Sequence, residues 1–192
     1  MSLIPLFPLS MALFPGVTLP LRIFEQRYLR LVTDCMKTDT GFGVALIRSG
    51  REVGSTAEVW PLGLYVRIVD WSQGEEGLLH IEVSGESRFR VLETFPEDDG
   101  LLMAEVEWLP EEETHPVPES CDGLLAVLNE LKEHAGMLAL KLPPVETAEA
   151  LSWQLAQLLP LEDATRVELL ASHDPLERLA SIAVNLDRWS QE

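Results

Sequence analysis

Apolar and polar positions change period along this chain, and the changes divide it into elements. Leu3-Ile4-Pro5-Leu6-Phe7-Pro8-Leu9 has the apolar content of a strand. Its prolines donate no ladder hydrogen bond, so the pattern predicts a short edge strand. Pro15-Gly16 marks a turn, because proline presets φ and glycine takes positive φ without strain. Residues 19–23 are extended, and Pro20 places them at an edge or a strand start. The period then lengthens. Phe24, Tyr28, Leu31, Val32 and Cys35 follow i, i+4, i+7, i+8 and i+11, with Glu25, Gln26, Arg27, Arg30, Thr33 and Asp34 opposite. That spacing predicts an amphipathic helix over residues 24–38, packed on a sheet and ended by Gly41.

From Phe42 to Trp108 the alternation returns to period two. Residues 43–47 form a continuous apolar run suited to a buried strand, and a Gly-punctuated loop follows over 48–54. Strands are predicted at 58–60, 62–69, 78–83, 87–95 and about 102–108. Gln73-Gly74-Glu75-Glu76-Gly77 and Pro96-Glu97-Asp98-Asp99-Gly100 are polar turns between them. About six short strands with one embedded helix suggest a closed or nearly closed barrel.

Proline and like charges from Pro110 to Glu119 predict an extended, solvated boundary. Beyond it every pattern is helical. Leu124, Leu125, Val127, Leu128, Leu131, Met137 and Leu138 mark a helix of about 120–140, frayed at Gly136 and stopped by Pro143-Pro144. Thr147 is a candidate N-cap for a helix through Leu159, with Leu151, Leu155, Leu158 and Leu159 inward. A third helix spans 162–172. Asp174-Pro175-Leu176-Glu177 opens a fourth, with Asp174 as cap, Pro175 at the first helical position and Glu177 in the first turn. Leu176, Leu179, Ala183, Leu186 and Trp189 form its apolar stripe. The fold class is therefore α+β: a β barrel subdomain over 1–112, a linker over 113–118 and a helical bundle over 119–192.

Composition changes the picture mainly through charge. The 192 residues are 46% hydrophobic and carry 14 Lys and Arg against 32 Asp and Glu, a formal charge of -18. Such a chain buries roughly 70% of its unfolded surface without a staple. The charge balance would mostly repel a nucleic-acid backbone. It reads either as solubility or as an acidic face that selects cationic clients. Cys35 lies on an apolar helix face and Cys121 at a helix boundary. Two cysteines so far apart make no disulfide framework and suit a reducing cytoplasm. Residues 1–21 are uncharged, but they lack a basic start, and four prolines break any signal helix. No long clean apolar run predicts a membrane span.

In order along the chain, a set of short motifs carries a resemblance. Leu13-Phe14-Pro15-Gly16, Leu19-Pro20-Leu21, Ile23-Phe24-Glu25 and Arg27-Tyr28 open it. Gly41-Phe42-Gly43-Val44-Ala45-Leu46-Ile47, Gly50-Arg51-Glu52-Val53-Gly54, Gly63-Leu64-Tyr65-Val66-Arg67-Ile68 and Gly85-Glu86-Ser87-Arg88-Phe89-Arg90-Val91 continue it. Leu158-Leu159-Pro160-Leu161, Val167-Glu168-Leu169-Leu170 and Asp174-Pro175-Leu176-Glu177-Arg178-Leu179 complete it. Together they resemble the Lon protease N-terminal (substrate-binding) domain family over nearly the whole chain. The resemblance implies a PUA-like pseudo-barrel followed by a helical bundle. It also implies a non-catalytic module that binds unfolded or partly unfolded polypeptide, acting as an adaptor or regulator of proteolysis. Ser10 stands where proteases of the family usually carry Arg, which makes the chain similar to stand-alone members without ATPase or protease domains.

Catalytic chemistry has no constellation to stand on. There is no P-loop motif, no Gly-x-Ser-x-Gly elbow, and no lysine (Lys37, Lys132, Lys141) in a Ser-Lys context. His80, His115, His134 and His173 are scattered without metal-ligand spacing. The expectation is therefore no enzyme, no metal and no cofactor, with the binding residues unassigned. Arg51 and Glu52 read as a turn ion pair or a recognition loop, and Arg88 and Arg90 as a salt-bridged barrel face or a ligand clamp. Trp60, Trp71, Trp108, Trp153 and Trp189 read as packing or, where exposed, as peptide anchors. The rival to polypeptide binding is a small-molecule or RNA reader built on the barrel.

Overall fold

The computed structural model describes residues 1–52, 57–74, 78–135 and 139–189, with only the backbone at 134 and 135. Its elements are β1 (Ser2–Leu9), β2 (Thr18–Ile23), α1 (Gln26–Thr38), β3 (Phe42–Ser49), β4 (Glu58–Gln73), β5 (Leu79–Pro96) and β6 (Leu102–Trp108). A 3-10 turn at Glu119–Cys121 leads into α2 (Asp122–Ala135), followed by α3 (Ala148–Leu158), α4 (Asp163–Ala171) and α5 (Pro175–Trp189). The chain is mixed α+β. The tip of the predicted loop at Val53-Gly54, the turn at Glu75-Glu76-Gly77 and the fraying point at Gly136 lie outside the described residues.

The strands run β2-β5-β4-β3-β1-β6, and a further β5–β6 pairing links the last strand back to the second, leaving β2 outside the ring. β4 and β5 are single long strands where the sequence suggested two short ones each. β4 passes Pro61 where its pairing with β3 shifts register, between Gly63 and Val59, and it pairs β5 from Leu62 to Gln73 with shifts between Leu64 and Val66 and between Ile68 and Asp70. β1 is not an edge strand. It pairs β3 in parallel and β6 antiparallel, but Ser2 to Leu6 face β6 and Leu6 to Leu9 face β3. Each proline thus sits where only one neighbour is paired, so its missing N–H breaks no two-sided ladder. Pro20 lies in β2, whose one strand partner among the described residues is β5, so its missing N–H breaks no two-sided ladder.

Closing the sheet leaves an interior that must be filled. Phe89 fills it, fully buried with Ile4, Leu6, Ala45, Leu102, Ala104 and Val106. Gly43 and Gly63 make the room, since a Cβ at either would stand 2.8 or 2.4 Å from the Phe89 ring. The opposite face of the sheet carries a larger core shared by α1 and the helical segment, running from Phe7, Phe14 and Val32 to Leu151, Leu155 and Ile182.

α1 buries Tyr28, Leu31, Val32 and Cys35 as the spacing predicts, whereas Phe24 lies before the helix and is 53% exposed. Burial pushes the Tyr28 phenol up to about 12 and raises the Cys35 thiol. Cys35 is therefore a small core residue. The helix ends at Asp39, which takes the left-handed conformation (φ 52°) expected of Gly41. Gly41 serves close approach instead: its N–H donates to Tyr65 Oη at 2.6 Å, and a Cβ there would lie 2.0 Å from the Val66 carbonyl oxygen.

α3 is the central helix of the second half, packed on α2 and α5, while α4 packs on β4. Its cap is the one expected, with Thr147 Oγ1 accepting from the Ala150 N–H. Its burial is not: Ser152, Trp153, Gln154 and Gln157 are buried beside the predicted leucines. Arg166 donates to the carbonyls of Ala156, Leu159 and Leu161, satisfying the end of α3. Asp174 caps α5 through the N–H groups of Leu176 and Glu177. The predicted α5 stripe shifts: Arg178, Leu179 and Ile182 are buried, while Leu176 and Trp189 are exposed.

Candidate binding cleft

A cleft of about 440 Å³ opens where the strand segment meets α3. One wall comes from Pro15-Gly16, from Glu86, Ser87 and Arg88 on β5, and from the stretch Leu109 to Glu112 after β6. The other comes from Pro143, Thr147, Glu149, Ala150, Trp153 and Gln154.

Backbone hydrogen bonds hold the Pro15-Gly16 turn in place. The Gly16 N–H donates to the Gly85 carbonyl and the Gly85 N–H donates to the Val17 carbonyl, both at 3.0 Å. Gly16 takes φ 78°, which a side chain would resist. From the other side, Gln157 on α3 accepts from the Phe14 N–H at 3.2 Å and donates to the Ala12 carbonyl at 3.1 Å. Thr18 and Lys141 exchange two backbone bonds of 3.0 Å, stitching β2 to the segment before α3.

Behind the cleft wall lies a buried charged cluster. Arg178, with no side-chain exposure, meets Glu112 through two N–H groups at 2.9 and 2.6 Å. Arg88, 4% exposed at its side chain, reaches the same carboxylate at 2.9 Å. Trp153 lies beside them, with the Arg178 guanidinium 3.3 Å and the Arg88 guanidinium 5.5 Å from its ring centroid. Phe14 stacks on the same indole at 5.6 Å. The remaining donors find oxygens: Arg178 Nε donates to Ser152 Oγ, and Arg88 to the carbonyls of Leu170, Ser172 and Pro110. Burial lowers both arginine pKa values, and the Glu112 carboxylate opposes the shift.

The residues singled out from the sequence are divided by the fold. Arg88 turns into the charged cluster, whereas Arg90 is exposed and lies 3.9 Å from Glu107. Among the described residues the partner of Glu52 is Ser10, whose N–H and hydroxyl donate to its carboxylate, rather than Arg51. Of the tryptophans only Trp153 is buried, while Trp71 (55%), Trp108 (40%) and Trp189 (39%) are exposed and Trp60 packs half-buried on the core. Two histidines that are distant in sequence come to the cleft region. His173 Nδ1 lies 3.4 Å from Arg88, and the His115 N–H donates to Glu149 Oε1 at 2.8 Å. Among the described residues, no group of three His, Cys, Asp or Glu side chains is placed to hold a metal ion. Among the same residues, no helix is long and apolar enough to cross a membrane.

The fold has counterparts in known proteins. Residues 3–188 match the model of the family described as the ATP-dependent protease La (LON) substrate-binding domain. A solved Lon N-terminal domain protein from Xanthomonas campestris is 36% identical and superposes with a TM-score of 0.77, over 96% of this chain and 98% of that one. A Lon protease of Cytophaga hutchinsonii is 26% identical over 201 residues, covering 97% of this chain and 24% of that protein. Protein cereblon of Gallus gallus is 33% identical over 117 residues, or 57% of this chain and 24% of that protein. The chain thus spans about a quarter of the length of these two curated relatives.

Proposed function

The chain belongs to the family of the Lon (protease La) substrate-binding domain, and from that premise we propose that it is a non-catalytic module that recognises unfolded or partly unfolded polypeptide. The observation that carries this reading is the cleft. It combines apolar walls (Pro15, Leu109, Pro143, Ala150) with polar groups at its floor, as sites for extended chains do. Its walls come from both ends of the chain, which we read as a PUA-like pseudo-barrel over 1–112 and a helical bundle over 119–192, linked by 113–118. Four carboxylates line it, which disfavours a phosphate backbone as ligand. Free, buried Cys35 and Cys121 accord with a cytoplasmic setting. In the cell, the module would act as an adaptor or regulator of proteolysis, delivering or withholding the chains it holds.

The test is fluorescence anisotropy with a labelled, permanently unfolded polypeptide. Saturable binding at micromolar concentration is expected, and Ala150→Arg, which fills the cleft, should abolish it without lowering Tm. Binding that never saturates, or that survives Ala150→Arg unchanged, overturns the proposal.

A further inference from the structure

Building on that polypeptide-binding reading, we propose that the cleft contains a subsite for a basic side chain, lysine or arginine, of the bound polypeptide, formed by Glu149 and Gln154 of α3. Among the described residues, four buried side-chain polar atoms lack a hydrogen-bond partner: two nitrogens of Arg27, Glu149 Oε2 and Gln154 Oε1. Both of the oxygens belong to residues of one helix that line the cleft. A buried acceptor without a donor is costly to keep, and such atoms mark places where a partner is missing.

The orientation of each group is set by its other atom. Gln154 is 1% exposed, and its Nε2 donates to the Pro143 carbonyl at 2.7 Å. Since a carbonyl only accepts, that contact fixes which end of the amide is nitrogen and leaves the oxygen free. Glu149 Oε1 is taken by the His115 N–H, and Oε2 is left over. What the subsite offers is therefore acceptors. A ligand group must bring donors.

Charge selects among donors. Outside the Arg88–Glu112–Arg178 cluster, the charged groups lining the cleft are Glu86, Glu111 and Glu149, with Glu86 3.6 Å from Arg67. The Arg88 guanidinium has its donors committed to Glu112 and to backbone carbonyls, so it has little left to offer an anion. Glu86 and Glu111 are exposed at the rim, where they add to the attraction for a cation. An ammonium or guanidinium supplies donors and charge together, and its hydrogen bond to a carboxylate is of the stronger, charge-assisted kind.

The experiment uses N-acetylated, C-amidated peptides of one apolar sequence carrying Lys, Arg, Gln or norleucine at a central position, titrated calorimetrically. Blocking the ends removes the α-ammonium as a competing source of charge. The Lys and Arg peptides should bind about tenfold more tightly than the other two. Glu149→Gln should remove most of that preference. A wild-type readout guards against a variant that fails to fold: the His115 amide signal, bonded to the same carboxylate, should shift with the Lys peptide and stay put with norleucine. Equal affinity for all four peptides, a preference that survives Glu149→Gln, or an unmoved His115 amide overturns the subsite. Equal binding by all four leaves the polypeptide reading standing; no binding by any of them overturns both.

Discussion

Phe89 and Arg88 are chain neighbours, both buried, and they belong to opposite kinds of interior. Phe89 points into the closed sheet, where every buried neighbour is apolar and the glycines at 43 and 63 have given up their side chains to admit its ring. Arg88 points to the junction with the helices, where it shares Glu112 with Arg178 beside Trp153. The first interior gains stability from each methylene removed from water. The second desolvates three charges and recovers that cost only through near-complete hydrogen bonding. The apolar interior defines the sheet. The charged one fixes where α5 and Glu112 stand, and so shapes the wall of the cleft.

That contrast can be broken by mutation. Phe89→Ala should cost about 4 kcal/mol in urea unfolding, because Gly43 and Gly63 offer no side chains to collapse into the void. Glu112→Ala should cost about 3 kcal/mol by leaving two arginines buried without a carboxylate. The difference lies in repair. Replacing Arg88, Glu112 and Arg178 together by Met, Leu and Met should return most of the loss, since an apolar cluster of similar volume needs no pairing. If the triple variant stays as unstable as Glu112→Ala alone, the junction is not electrostatic in the sense argued here.

Smaller effects sharpen the same line. Thr147→Ala removes the α3 cap at the cleft edge and should cost about 1 kcal/mol. The weakest is a pH effect. The His115 pKa is raised, first by its hydrogen bond to the Glu113 carbonyl and then by Glu149, so the folded state favours its cation. Its contribution to stability is present below the ordinary histidine value of 6.5 and is lost as pH rises through the higher folded value. An NMR titration of the His115 ring should show that raised midpoint, and Glu149→Gln should lower it.

Much of the architecture can be read from residues whose local chemistry is decisive. Thr147 and Asp174 cap the helices they were expected to cap, and Tyr28, Leu31, Val32 and Cys35 bury the face their spacing defines. The family resemblance was legible from motifs spread along the chain. The cleft was not, because polar residues carry no mark of burial in a sequence. Ser152, Gln154, Gln157 and Arg178 fall where a helical wheel assigns solvent, yet each finds a partner, Ser152 and Gln154 within the helical segment and Gln157 and Arg178 across the junction. Periodicity counts hydrophobicity and cannot see a hydrogen bond made 145 residues away, as between Gln157 and Ala12. The exposed tryptophans sit where burial gives out along a strand: residues 69–73 around Trp71 are all exposed, and Trp108 ends β6 on the face of Leu102, Ala104 and Val106.

The central claim is that polypeptide is bound in the cleft rather than on the exposed aromatic residues of the sheet. Hydrogen exchange of the protein with and without saturating unfolded polypeptide tests it most directly. The account predicts added protection in residues 109–112 and 143–154, with the backbone around Trp71 and Trp108 unchanged apart from its overlap with the first stretch. Protection centred on Trp71 or on β1 and β6, with residues 143–154 unaffected, would contradict it.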